Sequence, residues 1–300
     1  MDAAPIVLVD AGNSRVKLGW VDPATGRRET QPLVLAHGQS RAAERATQDA
    51  APRAGQLRAG QADLNDAGAH AAWLAPLAPW LQSLPAAPAA ALGVNVAGES
   101  VGNTLHAALA RHGCRLQWQQ PVAQALGLAN GYADPARLGA DRWAGLLGLR
   151  ARLQPGHGPA LLASFGTATT VDLIGPDDVF PGGLILPGPA LMLASLAHGT
   201  ANLPLTSGPA VAFPVDTQQA IASGVAAAQA GAILRQWLAA WQRYGAPAEV
   251  YACGGGWSLV ADETRRLLAD AARHRGLAPP PVHELAHPVL DGLAALAGKA

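Results

Sequence analysis

The chain has 300 residues, half of them hydrophobic, and its 21 basic and 21 acidic residues give a formal net charge of zero. A chain of this length holds one large domain or two ordinary ones, with enough apolar residues for a buried core. Because no cluster of Lys and Arg stands out, the balanced charge argues against a nucleic acid or an anionic membrane as partner.

The first predicted element is a β-hairpin near the N-terminus. Apolar runs at 6–9 and 16–21 predict two strands, and the short polar segment DAGNS at 10–14 joins them. A simple turn requires little more than the glycine. The added carboxylate and the small polar side chains therefore indicate a binding function for this turn. The segment PLVLA at 32–36 predicts a third strand.

The middle of the chain alternates between predicted helices and strands. Residues 38–91 are rich in Ala, Gln, Arg and Pro and predict surface helices, in which Trp73 and Trp80 serve packing rather than ligand binding. A buried strand is predicted at 92–98, a helix at 103–113 that ends at a glycine, and a short strand at 114–120. From Asp141 onward, apolar spacing predicts an amphipathic helix with this carboxylate at its start, where backbone N–H groups favour it.

The second half opens with a weak repeat of the first. The segment LLASFGTATTVDLIGPDDVF matches VLVDAGNSRVKLGWVDPATG in its order of strand, glycine turn, strand and Asp/Pro turn, about 154 residues apart. Such a repeat predicts a duplicated domain. We therefore expect an α/β protein with domains at 1–155 and 156–300, each starting with a hairpin whose glycine tip points into the space between the two copies.

The two predicted tips have the chemistry of a phosphate site. Gly12 and Gly166 let the backbone approach a ligand closely. Neighbouring backbone N–H groups can donate to phosphate oxygens, together with three polar side chains: Asn13, Ser14 and Thr167. Asp10 repels phosphate directly but suits an outer ligand of Mg²⁺, which binds few carboxylates and keeps its waters. Lys17 is close enough in sequence to reach the phosphates.

Several other classes of protein are disfavoured. Cys114 and Cys253 are far apart without metal-binding spacing, which is typical of reduced thiols in a cytoplasmic protein, and the nine histidines show no ligand spacing. The start of the chain has no basic segment typical of a signal peptide. The apolar stretch at 180–215 is broken by Pro and Gly, which favours a buried core or a subunit interface over a membrane span. No P-loop, dinucleotide fingerprint or GxSxG elbow is present.

Five motifs in order, DAGNS, GADRW, FGTATTVD, GGLILPG and CGGG, resemble those of the type III pantothenate kinases, including members called Bvg accessory factors. The resemblance covers most of the chain and is weakest at 38–91. It implies two ribonuclease-H-like halves of the acetate/sugar kinase–Hsp70–actin type with an interdomain cleft, and an obligate homodimer. The implied reaction transfers the ATP γ-phosphoryl group to pantothenate and yields 4′-phosphopantothenate, the first step toward coenzyme A.

The resemblance also assigns residues. It implies that ATP is bound, with Mg²⁺, by Asp10, Ala11, Gly12, Asn13, Ser14, Arg15, Val16, Lys17 and Thr167. It implies that pantothenate is bound by Tyr132, Gly139, Ala140, Asp141 and Arg142 and by Thr217 of the second subunit, with Asp141 as the base. Many members carry an aspartate that binds K⁺ or NH₄⁺ where this chain has Ser164. A neutral hydroxyl is a poorer ligand, so dependence on a monovalent cation is left open.

Simpler roles stand beside the functional ones. Asp141 is also suited to cap a helix, Asp10 to an Asx turn and Tyr132 to an ordinary turn. Arg142 suits either the substrate carboxylate, a phosphate or a surface salt bridge, and Asp172 either lines the cleft or caps a strand. Two other functions stay open on the residues alone: a different phosphotransferase or phosphatase of this fold, and an inactive nucleotide-binding regulator.

Overall fold

The computed structural model describes residues 4–37, 72–200, 202–206 and 208–298. By its internal contacts the chain forms two compact units. The first comprises Met1–Gln120, Gly139–Asp141 and Leu293–Ala300, and the second comprises Pro121–Leu138 and Arg142–Gly292. This division differs from the boundary at 155/156 that the sequence predicts, since most of 121–150 lies in the second unit.

The first unit is built on one five-stranded sheet. Its strands are β1 (Ile6–Ala11), β2 (Arg15–Val21), β3 (Leu33–Ala36), β4 (Ala90–Asn95) and β5 (Arg115–Trp118), and they lie in the order β3-β2-β1-β4-β5. β1 pairs antiparallel with β2 and parallel with β4. Because β1 is central, five of its six residues are buried, which explains why its sequence is an apolar run rather than an alternating one.

The second unit repeats this plan. It contains β8 (Ala160–Phe165), β9 (Ala168–Ile174), β11 (Gly182–Pro187), β12 (Glu249–Cys253) and β13 (Val282–Glu284), in the order β11-β9-β8-β12-β13. β8 pairs antiparallel with β9 and parallel with β12, as β1 does with β2 and β4. The predicted α/β fold with two ribonuclease-H-like halves is confirmed, because both sheets have the same strand order and directions.

A small third sheet lies in the second unit. It has the order β10-β7-β6 and consists of β6 (Gln124–Ala125), β7 (Leu128–Asn130) and β10 (Val179–Phe180). β7 pairs parallel with β10, which brings the NGYADP segment beside Phe180.

Helices pack their apolar faces against the two large sheets. In the first unit these are α1 (Leu77–Gln82) and α2 (Glu99–Ala110), and in the second α4 (Pro189–Gly199), α5 (Thr217–Tyr244) and α6 (Ala261–Arg273). On α2, Val101, Leu105 and Leu109 are buried at helical spacing against the first sheet. Each such side chain contributes about 1.5–3 kcal/mol by leaving water.

Helices α3 (Ala140–Arg150) and α7 (Pro288–Ala297) begin and end in different units. Within the second unit they approach each other backbone to backbone. A Cβ on Gly148 would overlap the carbonyl oxygen of Pro288, and a Cβ on Gly292 would overlap that of Ala144. These two glycines, one on each helix, therefore permit a contact that fixes α3, whose first turn carries Asp141.

Most predicted elements agree with the structure within a few residues. Of the predicted helices in 38–91, those in 38–71 lie outside the described residues. Trp73 and Trp80 pack against the first core, as expected. None of the described helices combines the length and apolarity that a membrane span requires. Part of the apolar stretch at 180–215 is exposed, with Phe213 and Val215 each at 90%.

Candidate active site

The turn between β1 and β2 holds the first group of predicted site residues. The backbone N–H of Gly12 donates to the carbonyl of Arg15 at 3.1 Å, which closes the turn. A Cβ on Gly12 would lie 3.3 Å from that carbonyl oxygen, so glycine permits this tight path. Beside the turn, the strand register places Asp10 opposite Lys17. Their side chains form an ion pair, with 3.4 Å between Nζ and Oδ2.

The remaining residues of the turn differ in what they expose. Ala11 and Val16 are cross-strand partners with buried side chains, so they form the base of the turn. At the tip, Asn13 and Arg15 are exposed and Ser14 is half-buried. Small polar side chains and backbone N–H groups are thus concentrated at one place, which is the arrangement that binds anions.

His37, which follows β3, contacts the same turn from the side. Its Nε2 lies 2.7 Å from the carbonyl oxygen of Gly12, and its buried ring contacts that of Trp73. Because a carbonyl oxygen only accepts hydrogen bonds, Nε2 carries a proton in this contact. The sequence analysis missed His37. A single histidine after a strand gives no signal of a partner 25 residues earlier.

The buried carboxyl of Asp10 is affected by two neighbouring charges within the first unit. Burial raises the pKa of the Asp10 carboxyl above its ordinary value of 3.8, the ion pair with Lys17 opposes this shift, and the charge of Asp141 adds to it. Asp141 is half-buried in the first turn of α3. A buried carboxylate that a second carboxylate makes harder to ionise is stabilised by a divalent cation. These residues therefore fit Mg²⁺, which prefers carboxylate and water oxygens.

A second cluster forms within the second unit around Arg142. This side chain is 7% exposed and donates from Nε to Oδ2 of Asp172 at 3.2 Å and from Nη2 to Oδ1. Its third donor, Nη1, reaches the hydroxyl of Tyr132 at 2.8 Å. The guanidinium carbon also lies 5.7 Å from the ring centre of Tyr132 and 5.9 Å from that of Phe180.

This cluster resolves two questions that the sequence left open. Burial acts to lower the pKa of Arg142, but the hydrogen bonds and charge of Asp172 outweigh it, so the pKa is raised and the guanidinium stays charged. The alternative of a surface salt bridge for Arg142 is wrong, because both partners are buried. Asp172 lies within β9 as the buried partner of Arg142, so the alternative of a strand cap is wrong.

The loop that carries Tyr132 is held by Asn130, which the sequence analysis did not identify. The side chain of Asn130 is buried, accepts from the backbone N–H of Tyr132 at 3.1 Å and donates to the carbonyl of Pro135 at 3.2 Å. Asp134 accepts from the N–H of Ala136 at 3.1 Å and starts a short 3₁₀ turn. The NGYADP segment is therefore a structured turn that presents one aromatic side chain.

The turn between β8 and β9 also begins with a glycine, but it is one residue shorter than the first turn. The N–H of Gly166 donates to the carbonyl of Ala168 at 3.0 Å, and Thr167 is exposed at the tip. Ser164 lies two residues before this glycine, and its Oγ is 3.1 Å from the Sγ of Cys253 on the neighbouring strand. A hydroxyl and a thiol are a neutral pair. They provide no negative charge with which to bind K⁺ or NH₄⁺.

The other predicted substrate residues lie at helix starts. Gly139 and Ala140 lead into α3 directly before Asp141. Thr217 is the exposed first residue of α5, beside Asp216, which accepts from the N–H of Gln219 at 2.9 Å and caps the helix. Of the predicted residues, the structure thus brings together Asp10, Lys17 and the turn in one group, and Tyr132 and Arg142 in another.

Comparison with known proteins gives these groups a family. The family model described as type III pantothenate kinase matches residues 6–239. The chain belongs to this family. A type III pantothenate kinase of Bordetella petrii is 52% identical over 294 residues, which cover 98% of this chain and 97% of that protein. The protein of the same name from Paraburkholderia phymatum is 33% identical over 320 residues, covering 99% and 96%.

Solved structures show the same fold at low identity. An exopolyphosphatase-like protein has a TM-score of 0.53 at 13% identity, covering 100% of this chain and 99% of its own. A putative Baf family transcriptional activator from Campylobacter jejuni has a TM-score of 0.50 at 15% identity, with 98% of both chains covered. These likenesses concern the fold alone. The activity follows from the pantothenate kinase family: the chain phosphorylates pantothenate with ATP in coenzyme A biosynthesis.

Proposed function

We propose that this pantothenate kinase binds the phosphates of ATP at the β1–β2 turn and uses Asp141 to accept the proton of the substrate hydroxyl. The observation that carries this proposal is the glycine turn beside the Asp10–Lys17 ion pair, together with Asp141 in the first turn of α3. A phosphoryl donor and the group that deprotonates its acceptor must act at one place, and these carboxylates belong to one compact unit.

Different groups of the turn are proposed to contact the phosphates of ATP. Backbone N–H groups of the tip, with the side chains of Asn13 and Ser14, donate to phosphate oxygens, and Lys17 supplies positive charge. Thr167, exposed on the second turn, is proposed as a further ATP ligand. Asp10 would hold Mg²⁺ through water, and the cation when bound neutralises charge that develops on the phosphate oxygens.

The chemical step moves one proton and one phosphoryl group. The primary hydroxyl of pantothenate forms a bond to the γ-phosphorus, the bond from that phosphorus to the bridging oxygen breaks, and ADP leaves with the electron pair. The hydroxyl proton passes to the Asp141 carboxylate. A carboxylate is a weak base toward an alcohol, but the phosphoryl transition state is loose and proton transfer is late, so orientation matters more than basicity.

Pantothenate binding is assigned to Tyr132 and Arg142 in the second unit and to Gly139 and Ala140 before the base. Thr217 is proposed to reach the substrate from a second subunit. Support for a homodimer comes from large apolar side chains that a single chain leaves exposed: Ile185 at 64%, Leu205 at 71%, Phe213 at 90% and Val215 at 90%. Surfaces of this kind are typical of subunit interfaces. Since its cosubstrate is ATP, we place the enzyme in the cytoplasm.

We propose further that the activity does not require a monovalent cation at Ser164, because its hydroxyl faces the thiol of Cys253 and provides no negative charge. The test is the rate with K⁺, NH₄⁺ or only a large organic cation in the buffer, for wild type and for Ser164→Asp. We expect an unchanged wild-type rate and a variant that responds to K⁺. A wild-type rate that falls at least tenfold without K⁺ contradicts this proposal.

Asp141→Asn tests the central proposal. Coupled ADP release with pantothenate should fall about 10²–10⁴-fold in kcat, the usual cost of removing a general base. Mass spectrometry should identify 4′-phosphopantothenate as the wild-type product. The matched control is Glu99→Gln, which neutralises an acid in the first turn of α2 and should leave kcat unchanged.

The same assay separates the alternatives. If Asp141→Asn lowers the melting temperature but not kcat, Asp141 only caps its helix and the assignment as base is wrong. If wild type releases ADP with another small alcohol but not with pantothenate, the substrate is wrong.

A further inference from the structure

Asp172 is a buried carboxylate to which the mechanism above gives no role. It lies on β9, in the motif FGTATTVD, and is 1% exposed. Both of its oxygens accept hydrogen bonds from Arg142, one from Nε at 3.2 Å and the other from Nη2. This two-point contact fixes the plane of the guanidinium as well as its position, because two parallel hydrogen bonds allow no rotation about either one.

The fixed guanidinium in turn fixes the Tyr132 hydroxyl. Nη1 of Arg142 is 2.8 Å from that oxygen. An arginine has no acceptor, so the hydroxyl oxygen accepts here and its own proton points to a different acceptor. The rings of Tyr132 and Phe180 stack with centroids 5.6 Å apart, which limits the aromatic ring to one orientation. Tyr132 is therefore held as a hydrogen-bond donor.

The backbone around Asp172 leaves space for this arrangement. The strand register places Gly183 of β11, from the motif GGLILPG, directly opposite Asp172. A Cβ on Gly183 would overlap Oδ1 of Asp172 and the carbonyl oxygen of Val171. The Asp172 carboxylate is a side-chain group, whereas the Val171 carbonyl belongs to the paired sheet, so a side chain at this position would disturb both. The glycine thus preserves the position from which Asp172 holds Arg142.

We propose that Asp172 is a positioning residue for pantothenate: it orients Arg142, and through it makes the Tyr132 hydroxyl a donor to an oxygen of the substrate. This rests on the proposed function. A second consequence concerns charge, because Asp172 neutralises the guanidinium locally. Arg142 then contributes to substrate binding through the direction of its hydrogen bonds rather than through net charge, and a lysine at this position could not reproduce the three hydrogen bonds.

The test compares the KM for pantothenate with the KM for ATP in Asp172→Asn. We expect the KM for pantothenate to rise about tenfold or more while the KM for ATP stays within about twofold, since one misplaced hydrogen bond of a charged group is worth a factor of this size. The matched control is Asp291→Asn, which breaks another arginine–aspartate pair, with Arg152, whose Nη2 lies 2.7 Å from Oδ2. It should leave the KM for pantothenate unchanged.

Coupling to the tyrosine is measured with Tyr132→Phe and the double variant. We expect the double variant to raise the KM for pantothenate no more than the stronger single variant, because both changes remove the same donor. If the increases in the KM for pantothenate multiply in the double variant, Asp172 does not act through Tyr132. If Asp172→Asn does not fold, Arg142→Lys serves in its place, because it keeps the positive charge and loses the two-point contact with Asp172.

The outcomes separate this inference from the proposed function. A folded wild-type protein that does not phosphorylate pantothenate overturns the proposed function and this inference together. An active wild type with an unchanged KM for pantothenate in Asp172→Asn overturns the positioning role alone. Calorimetric titration of pantothenate in the presence of a non-hydrolysable ATP analogue gives a readout apart from turnover, and weaker binding to Asp172→Asn is expected there too.

Discussion

The β1–β2 and β8–β9 turns occupy corresponding places in their sheets and each begins with a glycine, but they differ in length and in chemistry. Asp10 and Ser164 each lie two residues before the turn glycine, near the end of the first strand of their sheet. Asp10 faces Lys17 across the hairpin, whereas Ser164 faces Thr170 and contacts Cys253. The first turn thus keeps a partly buried ion pair, and the second keeps only neutral groups. The two units therefore share their strand order but not the charged pair beside the turn.

The two turns are also supported differently by the residue that follows the third strand. After β3, the side chain of His37 contacts the carbonyl of Gly12 at 2.7 Å. After β11, the backbone N–H of Gly188 donates to the carbonyl of Thr167 at 2.9 Å. One turn is held by a side chain and the other by the main chain in close approach. The same position in the fold is therefore filled by a large residue in one unit and by glycine in the other.

The largest expected effect comes from replacing Asp10 with serine, the residue type at the corresponding position of the second turn. Asp10→Ser removes the carboxylate assigned to Mg²⁺, so we expect kcat/KM to fall about 10–100-fold, the usual cost of removing a residue that orients a metal. Initial rates across a Mg²⁺ titration check this. Asp22→Ser, in the exposed turn after β2, is the control and should retain full activity. Full activity in Asp10→Ser would show that the charge difference between the turns has no catalytic meaning.

Gly188→Ala should damage the second turn through sterics alone. Its Cβ would overlap the carbonyl oxygen of Gly166, and backbone atoms cannot move away cheaply. We expect a loss of about 1–3 kcal/mol in the free energy of unfolding, as for other overpacked sites. Urea unfolding measures it, with Gly199→Ala as the control, since a Cβ there meets nothing within 4 Å. Equal stability of the two variants would contradict the close approach.

His37→Leu should affect the first turn less, because only one hydrogen bond is lost. The Gly12 carbonyl would keep partial access to water, so we expect about 1 kcal/mol of destabilisation and a raised KM for ATP. His37→Gln, which retains a donor, should recover most of the loss. The exposed His106 in His106→Leu is the control. If leucine and glutamine behave alike, the hydrogen bond does not support the turn.

The smallest expected effect is on stability as a function of pH. Because the pKa of Asp10 is raised in the folded state, the folded chain binds more protons than the unfolded chain between the ordinary value of 3.8 and the raised one. The contribution of the Asp10 carboxyl to the free energy of unfolding is therefore present at low pH and falls as pH rises through that interval. Asp10→Asn should be more stable than wild type at neutral pH by about 0.5 kcal/mol or more, although less active. Thermal melts from acidic to neutral pH test this, and equal melting temperatures throughout contradict it.

The sequence predicts the elements well and the contacts between distant residues poorly. Hairpins at β1–β2 and β8–β9 could be found because apolar runs and turn residues encode them locally. Asp172 could not be assigned, because its partner Arg142 is 30 residues away and no local pattern connects them. Arg142 itself was assigned as a site residue by resemblance, and that assignment stays a prediction. Its burial between Asp172 and two aromatic rings is a property of packing.

The sequence by itself determined the strands, the repeated glycine turns and the order of motifs that identifies a pantothenate kinase, since all of these depend on neighbours along the chain. Only the tertiary structure decided which distant groups contact each other: His37 with the carbonyl of Gly12, and Asp172 with Arg142, which also contacts Tyr132. The physical reason is that hydrogen-bond direction, burial and the coupling of charges depend on distances in space. Such distances are set when strands and helices far apart in sequence are brought together by the sheets.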